Sequence, residues 1–231
     1  MNSNLNDSFG LIKFGEESWL KNIKNGKLWF RTLEYYQEYE DHENIGDKDE
    51  GISHIIYPDS NTKIYFSHPF IENGRNIDIS NLNGPFHLFP RYNRQLFILC
   101  LSYFSIDDII QKSIFDDKIL EEKKWVDTFF FLDPENFISL IKDTLKKHCP
   151  EISIVQYVDY TKNQESLNYF KKSNIYNFQK EIRIAFRYFG EKNGNITRID
   201  KDTLEVNLEK AIYGIIIPSI SFREGFKVEN V

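Results

Sequence analysis

Phe178-Gln179-Lys180-Glu181-Ile182-Arg183-Ile184-Ala185-Phe186-Arg187 is the stretch on which the fold turns. At period two, Phe178, Lys180, Ile182, Ile184 and Phe186 share one face, and Gln179, Glu181, Arg183, Ala185 and Arg187 share the other. A mostly apolar face alternating with a mostly polar one is the pattern of a half-buried strand. The polar face would set an amide, a carboxylate and two guanidinium groups in a row, at about 7 Å for every two residues. Such a row suits a polar, phosphate-bearing ligand. It equally suits a solvated face with cross-strand ion pairs.

Outward from this stretch, Gln95 to Ser102 holds the apolar run Leu96-Phe97-Ile98-Leu99-Cys100-Leu101. That run is too dense for a sheet wetted on one side, so it predicts a central strand with Phe97, Leu99 and Leu101 on one face and Ile98 and Cys100 on the other. Phe9 to Phe14, Lys27 to Arg31, Thr128 to Leu132, Ile152 to Tyr157, Leu204 to Leu208 and Tyr213 to Ile217 read as further strands. Glu16 to Gly26 reads as a helix, with acids leading, Lys24 trailing and Gly26 as its stop. Thr32 to Glu40 reads as a second helix carrying Tyr35, Tyr36 and Tyr39. Ser105 caps a helix that starts at Ile106 and runs to about Lys124. Asp133-Pro134 opens another, with Phe137, Ile138, Ile141 and Leu145 as its buried side. Ile52–Tyr57 and Lys63–Ser67 read as a hairpin, residues 68–94 as a long irregular excursion with short strands at Ile77–Ile79 and Phe86–Leu88, and Gln164 to Lys172 as a short helix. This order predicts an α+β fold, a single domain over residues 1–231 with a mixed, largely antiparallel and split sheet flanked by helices.

Composition narrows the function. The 231 residues are 41% hydrophobic and 16% aromatic, enough for a real core. The net charge of −6 disfavours a protein whose main task is gripping a nucleic-acid backbone. Cys100 and Cys149 form no disulfide framework, no secretory signal opens the chain, and no apolar run reaches the roughly 20 residues of a membrane span. The expectation is a cytoplasmic protein without a membrane anchor; its oligomeric state is open. There is no phosphate loop, no nucleophile elbow and no His-Glu-x-x-His, so no metal is expected. The segment from Glu38 to Gly51 is rich in acids but lacks the ligand order of a calcium loop. Asp47, Asp49 and Glu50 are therefore expected to face solvent, the alternative being a loop beside a pocket. Tyr35 and Tyr36 read as core or rim packing, or as ligand contacts. Arg75, Arg91 and Arg94, with His87 and Tyr92, form the one locally basic, aromatic stretch.

Two resemblances rest on these residues. Trp19-Leu20-Lys21-Asn22-Ile23-Lys24-Asn25-Gly26-Lys27-Leu28-Trp29-Phe30, Leu99-Cys100-Leu101-Ser102, and the run from Phe170-Lys171 to Gln179-Lys180-Glu181-Ile182-Arg183 resemble the DUF2971 type of bacterial and phage proteins. The Asn-Asp-Pro usual in that family after the second strand is replaced by Gly46-Asp47-Lys48-Asp49-Glu50-Gly51. Gln179-Lys180-Glu181 is also similar to the Gln-x-Glu motif of the ADP-ribosyltransferase superfamily, with Ser102 standing for its middle-strand serine. Lys13 is the sole cation of the first strand, where that superfamily has Arg or His. The second resemblance implies a split sheet, Glu181 and Gln179 as catalytic residues and Ser102 as a ligand-binding residue; the polar strand face adds Arg183 and Arg187, and the aromatic stripe Tyr35 and Tyr36, as ligand-binding residues. It implies NAD as cofactor and a nucleotide-type small molecule as partner, in phage–bacterium conflict. The alternative is a non-enzymatic protein that grips a host or phage protein. On this reading Glu181→Gln is expected to keep the fold.

Overall fold

The computed structural model describes residues 9–38, 49, 51–68, 71–89, 95–111, 118, 121, 126–164, 166–191 and 194–218. The chain runs through β1 (Phe9–Gly15), α1 (Glu17–Lys24), β2 (Lys27–Thr32) and α2 (Leu33–Glu38). Gly26, at φ 81°, makes the left-handed turn between α1 and β2. Four strands follow, β3 (His54–Ile56), β4 (Lys63–His68), β5 (Ile71–Asp78) and β6 (Phe86–Leu88). Next come β7 (Leu96–Ser105), α3 (Ile106–Ile110), β8 (Asp127–Phe131) and α4 (Pro134–Leu145). Then β9 (Glu151–Ile154), β10 (Gln156–Val158) and β11 (Lys171–Ser173) lead through a 3-10 turn, Asn174–Gln179, to β12 (Glu181–Arg187). The chain closes with β13 (Ile196–Arg198), β14 (Thr203–Asn207) and β15 (Gly214–Ile217).

Local chemistry places the helix starts. Ser105 and Asp108 form a capping box: the Ser105 N–H donates to Asp108 Oδ2 at 2.7 Å, and the Asp108 N–H donates to Ser105 Oγ at 3.2 Å. The Asn136 N–H donates to Asp133 Oδ1 at 3.1 Å, and Pro134 supplies the first helical position of α4.

The main sheet has nine strands, in the order β13-β14-β2-β7-β1-β8-β15, with β12 and then β9 on the opposite edge of β7. Every pairing in it is antiparallel. The fold is thus α+β with a largely antiparallel sheet, as the element order predicts. The central strand β7 organises it. On one edge, β12 pairs from Ser102 to Leu96. The other edge is shared, with β2 opposite Phe97 and Ile98 and β1 opposite Ser102 to Ser105. Leu99, Cys100 and Leu101 fall between them, so the sheet splits at that point.

Alternation along β7 sorts the core as predicted. Phe97, Leu99 and Leu101 pack with Ile182, Ile184 and Phe186, beneath Leu20 and Ile23 of α1 and Phe137, Ile138, Ile141 and Leu145 of α4. Each such side chain contributes about 1.5–3 kcal/mol when fully buried. Ile98 and Ala185 face the other way and pack with Leu33 and Leu96, joined by Tyr36, Cys100, Tyr169 and Phe170.

Four expectations need correction. The strand at Ile52–Tyr57 does not form a hairpin with Lys63–Ser67; β3 pairs with β6, and β4 pairs with β5. In the excursion at 68–94 the strand expected at Phe86–Leu88 forms as β6, but the one expected at Ile77–Ile79 is the longer β5, Ile71–Asp78. No helix spans Gln164 to Lys172; Gln164 makes a bridge to Ile55, and Lys171 opens β11, which runs parallel to β10. The organising strand starts at Glu181, because Asn174–Gln179 is a 3-10 turn and Lys180 is left-handed at φ 43°.

Candidate functional site

The polar face of β12 is not solvated. Residues 181–186 are all buried, and only Arg187 is exposed. The covering is local in sequence. After β9 the chain leaves the main sheet, pairs with itself as β10 and β11, and returns through the 3-10 turn. This excursion lies over Glu181 and Arg183 and supplies their partners.

Glu181 is 5% exposed and Arg183 is fully buried. The Arg183 guanidinium donates from Nε to Glu181 Oε1 at 2.6 Å and from Nη2 to Oε2 at 3.3 Å. Its Nη1 donates to the Tyr169 carbonyl at 2.6 Å. Lys172, 1% exposed, places Nζ 3.6 Å from Glu181 Oε2 and donates to Gln179 Oε1 at 3.0 Å. The Glu181 N–H donates to the Tyr157 hydroxyl at 3.0 Å. Burial would raise the pKa of the Glu181 carboxyl, but the charges of Arg183 and Lys172 and the hydrogen bonds from Arg183 and the Cys100 thiol outweigh it. The carboxyl therefore lies well below its ordinary value and stays ionised at neutral pH. Burial, with the Glu181 charge beside it, pushes the Tyr157 phenol up.

Ser102 is the direct cross-strand partner of Glu181 on one edge of β7 and of Ile12 on the other. Cross-strand partners sit about 4.5–5.5 Å apart at Cβ. One residue further along β1, Lys13 donates from Nζ to the Cys100 carbonyl at 2.7 Å, inside the split of the sheet. A side-chain ammonium thus stands where a neighbouring strand would have supplied a backbone N–H. Burial pushes the Lys13 ammonium down from its ordinary value, opposed by Cys100 and Glu181.

The remaining candidates are spread out. Gln179 belongs to the 3-10 turn and reaches the cluster only through Lys172. Tyr36 packs on the same face of the sheet as Ile98 and Ala185. Tyr35 lies under the Arg31 guanidinium, 4.5 Å from ring centroid to Cζ, and meets Tyr36 edge-on at 5.7 Å. Arg187 is at the far end of β12, paired with Leu96 rather than Ser102. The sequence reading missed Lys172, Tyr157 and Tyr169, for which no periodic pattern gave a signal.

The acidic segment lies mostly outside the described residues, Asp47 and Glu50 included. Asp49 is described, and it does not face solvent freely: its Oδ1 is 3.1 Å from His87 Nδ1, with the carboxyl side chain 21% exposed. Of the basic stretch, Arg91, Tyr92 and Arg94 lie outside the described residues. Among the described residues no group of three His, Cys, Asp or Glu side chains is placed to hold a metal ion, and no helix is long and apolar enough to cross a membrane. A shallow depression of about 440 Å³ lies elsewhere, lined by Tyr188, Glu191, Thr197 and Arg198 among others.

Chemically, the arrangement offers an ionised carboxylate opposite a serine, with the cations of Arg183 and Lys172 against it. It also commits both carboxylate oxygens to Arg183 and Lys172. Glu181→Gln would leave two buried cations without their anion, so the expectation that this change spares the fold does not survive the geometry. No protein-family profile, curated protein or solved structure matches this chain. Both resemblances therefore rest on the residues quoted for them.

Proposed function

We propose that this protein handles NAD or ADP-ribose on the plan of an ADP-ribosyltransferase, acting in phage–bacterium conflict. The observation that supports this reading is the direct pairing of Ser102 with Glu181 beside the split of the sheet. The resemblance calls for a middle-strand serine near the motif glutamate, and the register provides one. Glu181 would accept a ribose hydroxyl and stabilise the positive charge that grows as the ribose C1′–N bond breaks. Nicotinamide leaves with the bonding pair, and an acceptor nucleophile attacks C1′ and loses its proton. A carboxylate already fixed and ionised suits this task, because it needs no reorganisation as the charge develops. Ser102, opposite Glu181 in the sheet, would orient the ligand.

A second reading is a non-enzymatic protein that grips a host or phage protein. It is favoured by the commitment of both Glu181 oxygens to Arg183 and Lys172, an arrangement that a purely architectural ion pair also explains.

Incubating the pure protein and a host lysate with radiolabelled NAD separates the two. The enzymatic reading expects labelled protein or released nicotinamide, reduced at least about a hundredfold by Ser102→Ala if that hydroxyl orients the ligand for the electrostatic step. Absence of both label transfer and nicotinamide release would leave the binding-protein reading standing alone.

A further inference from the structure

We propose that residues 156–164 and 166–179 form a hinged cover, latched to the sheet by the buried charges of Glu181 and Arg183, and that its release admits a ligand to Glu181. The identity of that ligand rests on the nucleotide reading above; the cover itself does not.

The division between cover and sheet is visible in the hydrogen bonds. The last ladder contact of β9 with β12 is the Val155 N–H donating to the Glu181 carbonyl at 2.9 Å. Beyond it, β10 and β11 pair only with each other. At the other end the boundary is Lys180, held in the left-handed region at φ 43°. Its carbonyl accepts from the Tyr103 N–H at 2.8 Å, and its Nζ lies 2.5 Å from Asp108 Oδ1. Lys180 is thus fixed to β7 and α3, and the chain before it departs from a pinned point.

The two sides of the cover are attached by different chemistry. Outward, it joins the β3–β6 ribbon through two backbone bonds between Ile55 and Gln164, one from the Leu167 N–H to the Ser53 carbonyl, and the apolar trio Ile52, Ile55 and Leu167. Inward, its attachments to Glu181 and Arg183 are polar: Lys172 to Glu181, the Tyr169 carbonyl to Arg183, and the Tyr157 hydroxyl to the Glu181 N–H. Tyr169 and Phe170 add the apolar part of that contact. An ionic latch responds to ionic competitors. A ligand carrying a pyrophosphate would draw Lys172 and Arg183 away from Glu181 and free the carboxylate that the chemistry needs. An apolar seam would give a nucleotide no such purchase.

Hydrogen–deuterium exchange on the full chain tests this. The cover should exchange at least tenfold faster than residues 97–101 of β7 through partial opening. Lys172→Met should speed exchange in the cover at least a further tenfold and leave residues 97–101 unchanged. Tyr157→Phe, which removes one latch contact at nearly constant shape, should act the same way more weakly and serves if Lys172→Met does not fold. Cover and sheet exchanging at one common rate, or both accelerating equally in the variants, would overturn the latch. ADP-ribose added at millimolar concentration then separates the two claims. If the cover opens independently but ADP-ribose changes its exchange nowhere, the nucleotide reading fails and the latch stands.

Discussion

Arg183 grips Glu181 from two residues along the same strand, Nε to Oε1 at 2.6 Å and Nη2 to Oε2 at 3.3 Å, with both residues buried. Adjacent positions on one face of a strand are about 7 Å apart, so the long guanidinium must fold back along the face to reach the carboxylate. It does so because the cover denies it water and the Tyr169 carbonyl takes its remaining nitrogen.

Glu181→Gln is expected to destabilise the protein by about 3–5 kcal/mol, since it strands the charges of Arg183 and Lys172. Adding Arg183→Met and Lys172→Met to the same chain should recover at least half of that loss, because a buried ion pair replaced whole is often neutral. Urea unfolding measures both. A single substitution costing under half a kcal/mol would show that water reaches the pair.

Acid should weaken the fold through the same group. The folded Glu181 carboxyl lies below its ordinary 4.5, held there against burial by Arg183 and Lys172. The unfolded chain therefore binds that proton more readily, and the contribution is fully present above pH 4.5 and is lost as pH falls below it. Urea midpoints at pH 6 and pH 3.5 should differ more in the wild type than in the triple Gln/Met/Met variant. Equal differences would remove Glu181 from the acid response.

Gly26→Ala should cost more than the roughly 1–2 kcal/mol of a left-handed non-glycine residue. An added Cβ there meets the Lys210 carbonyl, which is backbone and cannot swing aside. Gly190, also at positive φ but with nothing near its added Cβ, is the control and should show the conformational cost alone.

Leu99→Ala should cost about 2–5 kcal/mol, the usual range for a buried leucine. Leu99 is 3% exposed in the main cluster. A loss below half a kcal/mol would place β7 at the periphery.

How much of this was legible follows from which signals are local. The run Leu96–Leu101 marks a central strand because no solvated face tolerates it, and Asp133-Pro134 marks a helix start by its own side chain. The pairing of β3 with β6 was not legible, since nothing in Ile52–Tyr57 distinguishes a partner at Lys63 from one at Phe86. For Glu181 and Arg183 the alternation was read correctly, but period two says only that two faces differ, not that the polar one is wet. Lys172 ends the stretch that reads as a short helix; it is buried because the cover folds back on β12, a tertiary event that no short window contains. The motif resemblance alone names Ser102 beside Glu181; the register that makes them partners is fixed by the ladder of β7 with β12.

On the proposed reading, the buried site at Glu181 takes a nucleotide of the NAD type once the cover is released. Thermal unfolding of the pure chain with and without ADP-ribose tests it most directly, because a ligand that prefers the folded state must stabilise it. At a hundredfold excess over Kd the gain is about 2.7 kcal/mol, which for a chain of this size raises Tm by roughly 5–10 °C. Such a rise is expected with ADP-ribose, reduced in the Ser102→Ala variant. An unchanged Tm at millimolar ADP-ribose and at millimolar NAD would contradict it.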